Sequence, residues 1–109
     1  MPLTSEIKKT IETSLQNYCC LNNTDLSDKD IRELCFLLGK KKYISNLNLA
    51  QNNIGDKEVR TLVACLPPSI KELNLAKNLI SDEGAILLIR NRNLKNLVLL
   101  DNDAIGKES

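Results

Sequence analysis

The residues in this chain that could do chemistry are four cysteines, two carboxylate pairs and a set of recurring asparagines; there is no histidine. A thiolate can attack an electrophile or bind a soft metal, neighbouring carboxylates can divide acid and base duty, and a side-chain amide can donate and accept at once. Asp28 with Asp30 and Asp82 with Glu83 supply the pairs, and Asn52, Asn78 and Asn102 supply the amides. Cys19 and Cys20 are neighbours, whereas Cys35 and Cys65 lie far apart, and no CxxC pair occurs. Zinc therefore has no ligand set, and the commonest general base is missing. The four glycines form neither a phosphate-cradling loop nor a GxSxG turn. The chain is expected to hold no catalytic residue, no cofactor and no metal, and not to be an enzyme.

The elements that position these residues give each a structural role. Ile31, Leu34, Cys35 and Leu38 fall at i, i+3, i+4 and i+7, as do Val59, Leu62, Val63 and Leu66, and a third helix follows with Ala85, Leu88 and Ile89. Both carboxylate pairs open such helices, behind Ser27 and Ser81 as N-caps, where negative charge offsets the helix dipole. Gly39 and the pair Pro67, Pro68 are predicted to stop the first two helices. Cys35 and Cys65 lie on these helices and Cys19 at a leucine position, so all three read as small core hydrophobes; Cys20 alone should point outward.

A fixed period organises the chain. Ile44, Leu47, Leu49, Asn52 and Ile54 recur as Ile70, Leu73, Leu75, Asn78 and Ile80, offset by 26. A third copy runs Leu94, Leu97, Leu99 and Asn102 and ends at Ala104 or Ile105, and a weaker early copy runs Cys19, Leu21, Thr24 and Leu26. Within a copy, Leu47 and Leu49 alternate with Asn46, Asn48 and Ala50, the pattern of a half-buried strand. The asparagine after each strand, with Thr24 in the first copy, is placed to satisfy the backbone groups that the turn leaves unpaired.

The words "ISNLNLAQNNI", "IKELNLAKNLI" and "LKNLVLLDNDA" resemble the leucine-rich-repeat family, in its long ribonuclease-inhibitor-like form, over roughly residues 15 to 109. The resemblance implies an α/β right-handed solenoid, with a curved parallel sheet on the concave face and helices on the convex face. Residues 18–109 would hold about four repeats, the last incomplete. Residues 1–17, with Ile7, Ile11 and Leu15 at helical spacing, would form an N-terminal capping helix of the same single domain.

The repeat register predicts a shared concave face. It would present Tyr18, Cys20 and Asn22; then Asn46, Asn48, Ala50 and Gln51; then Glu72, Asn74, Ala76 and Lys77; and finally Asn96, Val98, Leu100 and Asp101. One end of that face is amide-rich and the other apolar.

Fifteen basic and 14 acidic residues leave a formal charge of +1, and aromatics make up 3%. No global field attracts phosphates, and few rings are available to stack on bases, so neither nucleic acid nor a membrane is an expected partner. No cleavable leader or spanning segment is legible, and the thiols read as reduced, which predicts a cytoplasmic protein; delivery into a host cell without a cleavable leader stays open. The leading functional expectation is a module that binds another protein through the concave sheet and adjoining loops. The alternative is an assembly element that docks or forms a homodimer through an open C-terminal strand edge. Regulation of a small GTPase, known among relatives of this architecture, is the third.

Overall fold

Each repeat commits a leucine pair to one side of a short strand, and the backbone then turns away to bring a helix over those leucines. The computed structural model describes residues 5–12 and 16–106. Its elements run α1 (Ser5–Glu12), β1 (Tyr18–Cys20), α2 (Asp28–Gly39), β2 (Asn46–Asn48), α3 (Asp56–Cys65), β3 (Glu72–Asn74), α4 (Asp82–Ile89) and β4 (Asn96–Val98). The four strands form one parallel sheet in chain order. Cys19, Leu47, Leu73 and Leu97 lie in register across it. Pairing continues past the strand ends: Leu49 N–H donates to Asn74 O at 2.8 Å and Gln51 N–H to Ala76 O at 3.0 Å.

Leu47, Leu49, Leu73 and Leu75 are buried under Ile31, Leu34, Leu38, Val59 and Leu62 from the helices, with Ile44, Ile54, Ile70 and Ile80 closing the layer. Burying one such side chain is worth roughly 1.5–3 kcal/mol, so the sheet and helix layers hold together through this seam. Towards β4 the seal weakens: Leu94, Leu97 and Leu99 are only partly buried, since no strand follows β4 among the described residues.

The turns are held by the asparagine ladder. Asn78 Oδ1 accepts from the N–H groups of Asn52 (2.8 Å) and Ile54 (2.9 Å), while its Nδ2 donates to Leu49 O (3.1 Å) and Leu75 O (3.0 Å). Asn52 ties the first repeat in the same way, its Oδ1 accepting from the Thr24 N–H and hydroxyl. Asn102 accepts from Ile80 N–H at 3.0 Å and donates to Leu75 O at 2.8 Å. All three amides are buried, and each satisfies backbone groups that would otherwise be stranded away from water.

Several local expectations need correction. α2 does end at Gly39, but as its last helical residue and not as a left-handed cap, with Lys40 forming the C-cap in right-handed geometry. Ahead of Pro67, α3 does end, with Leu66 extended as a pre-proline residue must be. Cys65 is exposed, because it lies off the Val59–Leu62–Leu66 stripe by about one residue's 100° of rotation. Ile89 is also exposed, at 70%; at the end of α4 it points away from the sheet, and Leu87 packs against the core instead. Of the two candidates in the last copy, Ile105 packs against the core and Ala104 is exposed.

At the helix starts, Ser27 is the expected N-cap and forms a capping box with Asp30, whose carboxylate accepts from the Ser27 N–H at 2.9 Å. Ser81 occupies the N-cap position of α4 but makes no side-chain cap bond. Its hydroxyl donates instead to Asp56 of the preceding repeat. At the N-terminal end, α1 lies beside α2, with Ile11 buried and Lys8 paired to Glu33 at 2.8 Å. Leu15 and the side chain of Ile7, which complete the predicted stripe, lie outside the described residues.

Candidate functional site

The faces of the strands opposite the leucines form a single surface, because a pleated strand alternates its side chains and the repeats keep register. Its first row is Tyr18, Asn46, Glu72 and Asn96, and its second is Cys20, Asn48, Asn74 and Val98. A third row carries Ala50, Ala76 and Leu100, aligned by hydrogen bonds from Gln51 N–H to Ala76 O and from Lys77 N–H to Leu100 O. Gln51, Lys77 and Asp101 stand just beyond, where the chain leaves the sheet. All three are exposed and have φ near +60°, the left-handed conformation that turns the chain towards the helix.

Within the first row, the Glu72 carboxylate is fully engaged. Asn46 Nδ2 donates to one oxygen at 2.7 Å and Asn96 Nδ2 to the other at 2.8 Å. The cluster is a polar platform tied together across three strands. The second row behaves differently: Asn48 Oδ1 and Asn74 Oδ1 accept from the Ala50 and Ala76 N–H groups at 3.0 and 2.9 Å. Those bonds fix the two amides and leave each Nδ2 without a partner among the described residues, presented to the open side of the sheet. A shallow depression of about 230 Å³ lies between the rows, bounded by Asn46, Glu72, Asn74, Asn96 and Val98.

Val98 and Leu100 stand exposed by 41% and 68% at the β4 end, and Tyr18 flanks the opposite end. Cys20 faces outward and its thiol donates to Asn22 Oδ1 at 2.9 Å. Buried Cys19 and Cys35 are pushed up to about 11 and about 12, in each case chiefly by loss of hydration and secondarily by the neighbouring thiol, so neither is a nucleophile at neutral pH. Among the described residues no group of three His, Cys, Asp or Glu side chains could hold a metal ion, and no described helix is long and apolar enough to cross a membrane.

Register reasoning from the sequence therefore locates the strand rows, and fourteen of the fifteen residues it predicts for this face stand in them or at the exit rim. What it missed is the side where helices return to strands: the segments 39–45, 65–71 and 90–95 contain seven Lys or Arg and no acid. The signal was the phase of charge within each repeat, which a net total conceals.

Known proteins place this geometry. The family described as "Leucine Rich repeat" matches at residues 41–62 and 67–88. Human Protein NLRC5 is 37% identical over 78 residues, which are 68% of this chain and 4% of that protein's length. Among solved structures, Leiomodin-1 Actin-Binding Site 2 matches with a TM-score of 0.73 at 18% identity, over 94% of this chain and 65% of that one. The tropomodulin C-terminal domain of Caenorhabditis elegans matches with a TM-score of 0.65 at 23% identity, over 89% of this chain and 63% of that one. The chain thus spans under two thirds of each of these proteins, and the two structures share its fold. With repeats matched in sequence, strands in register and an asparagine at three of the four turns, the chain belongs to the leucine-rich-repeat family.

Proposed function

We propose that the chain binds another protein through its concave sheet, with the Asn48 and Asn74 amides as central donors and Val98 and Leu100 as the apolar edge of the contact. The observation that carries this reading is the pair of fixed Nδ2 groups on an open face: they are already oriented, so binding orders little. Offsets near 26 residues and a full helix per repeat favour the ribonuclease-inhibitor-like type, with residues 1–17 as the cap of a single domain. Four free thiols, two of them in the core, fit a reducing compartment such as the cytoplasm.

The test is direct. Photo-crosslinkers placed at positions 50 and 76 should capture the same protein, and Asn74→Arg should abolish that capture while leaving the far-ultraviolet circular dichroism unchanged. Capture that persists in Asn74→Arg would remove the concave face from consideration. Actin is a reasonable first probe, since Leiomodin-1 Actin-Binding Site 2 has this fold.

A second reading rests on β4. Leu49 and Leu75 both donate their N–H groups to the following strand, and the equivalent Leu99 has no such strand among the described residues. Two copies could pair there, with Leu100 beside the seam. Light scattering should then give a concentration-dependent dimer that Leu100→Asp disrupts; a monomer at every concentration would dismiss this reading.

A further inference from the structure

A formal charge of +1 hides an uneven placement of charge. Parallel strands put all the helix-to-strand segments on one flank of the solenoid and all the strand-to-helix segments on the other. The strand-to-helix flank mixes signs, with Asp28, Asp56 and Asp82 in the first turns of their helices and Lys29 and Lys57 beside them. On the opposite flank, segment 39–45 holds Lys40, Lys41 and Lys42, segment 65–71 holds Lys71, and segment 90–95 holds Arg90, Arg92 and Lys95. Backbone bonds set these segments side by side: Lys71 N–H donates to Ser45 O at 2.7 Å and Lys95 N–H to Lys71 O at 2.6 Å.

Helix C-termini attract cations, and one basic group per helix would satisfy that dipole. Lys40, Lys41 and Lys42 exceed it at the end of α2, and Lys71 and Lys95, next to the strands, lie beyond its reach. The ion pairs Lys8–Glu33, Lys57–Asp28 and Arg60–Glu83 use no cation of this flank. The nearest acid in sequence, Glu72, has both oxygens occupied by amides.

The same flank contains a groove of about 600 Å³ between the ends of α2 and α3. Phe36, Cys35, Cys65, Pro67 and Pro68 form its apolar walls, and Lys40 and Lys42 stand at its rim. Phe36 is 65% exposed, with Lys40 Nζ 4.5 Å from its ring centre. Ser69 also lines the groove, and its hydroxyl is buried with no hydrogen-bond partner, an isolated polar atom that a ligand's backbone could satisfy.

We propose that this flank is a second binding site, distinct from the concave face, that holds an acidic peptide segment of a partner protein. Carboxylates of the peptide lie along the loop cations, one apolar side chain enters the groove beside Phe36, and a backbone group meets the Ser69 hydroxyl. A peptide fits better than a polyphosphate because the walls between the cations are apolar and recessed, whereas phosphate recognition uses cations on an open polar surface.

The probe is a synthetic peptide in which glutamates flank a central phenylalanine, titrated into the full 109-residue chain by NMR. Amide shifts should concentrate in residues 36–45 and 65–71, and binding should weaken as salt is raised. Lys42→Glu with Arg92→Glu should cost at least tenfold in affinity. The same charge change on the opposite flank, Lys29→Glu with Lys57→Glu, should cost less than threefold, which separates a local site from a net-charge effect. Phe36→Ala should weaken the phenylalanine peptide and leave a version with alanine at that place unaffected.

Equal losses from the two charge-reversed pairs, full affinity for a glutamine version of the peptide, or shifts confined to the concave face would each overturn the proposal. So would tight binding of a single-stranded oligonucleotide or phosphatidylserine vesicles with no binding of the peptide.

Discussion

Asp56 reaches out of α3 to the first turn of the next helix and accepts the Gly84 N–H at 3.1 Å, at the one glycine of that helix. A β-carbon at position 84 would stand inside van der Waals contact of the same carboxylate and 2.9 Å from Ile80 Cγ2. The Asp56 carboxylate also accepts from the Ser81 N–H at 2.9 Å and from the Ser81 hydroxyl. An inter-repeat cap thus replaces the local one that Ser81 would otherwise make. Asp82 repeats the arrangement one step on, accepting the Gly106 N–H at 2.7 Å.

Gly84→Ala should destabilise the fold by about 2 kcal/mol through overpacking, and Asp56→Ala by about 1 kcal/mol through loss of the cap. The double variant should lose less than the sum, since Asp56 is one of the two groups the new methyl would strike. Urea unfolding of the four proteins measures this, and strict additivity would contradict the contact.

Burial raises the Asp56 pKa, but the hydrogen bonds from Ser81 and Gly84, helped by the charge of Arg60, outweigh it and hold the carboxyl below its ordinary value. A depressed folded-state pKa contributes stability that is complete above the unfolded value, about 3.9, and is lost as pH falls through the lower folded value. The stability difference between the native chain and Asp56→Asn should therefore be constant near neutrality and shrink only in the acid limb of a pH series.

Asn78→Ala should cost about 3 kcal/mol or more, because it leaves two backbone N–H groups and at least two carbonyls without their amide partner inside the structure. Against a total stability of roughly 5–15 kcal/mol for a domain, such a loss should appear as a lower melting temperature and faster amide exchange at Asn52 and Ile54. Asn102→Ala should cost less, since its Oδ1 makes a single backbone contact across repeats, to Ile80.

Under native conditions at neutral pH, iodoacetamide should modify Cys20 and Cys65 and spare Cys19 and Cys35. The first two are exposed, and burial holds the other two protonated. Intact mass should plateau at two adducts and reach four only in denaturant.

The sequence by itself determined the repeat, the strand face and the asparagine ladder. Each is a local pattern: Leu47 and Leu49 must share a side because strands alternate, and Asn52 and Asn78 follow strands at a fixed interval. It also placed Ser27 as an N-cap with Asp28 and Asp30 in the first turn behind it, since all three lie within a single helical turn. The tertiary structure alone decided what depends on which repeat lies next to which. Cys65 and Ile89 were misjudged as core because helical spacing gives a stripe but not its rotation against the sheet. Ser81 gave up its own cap because Asp56, 25 residues earlier, is nearer in space than the sequence suggests. The basic flank beside Phe36 also exists only when parallel strands bring segments 39–45, 65–71 and 90–95 to the same side. Stacking converts a position within a repeat into a row across the surface, and no single repeat contains a row.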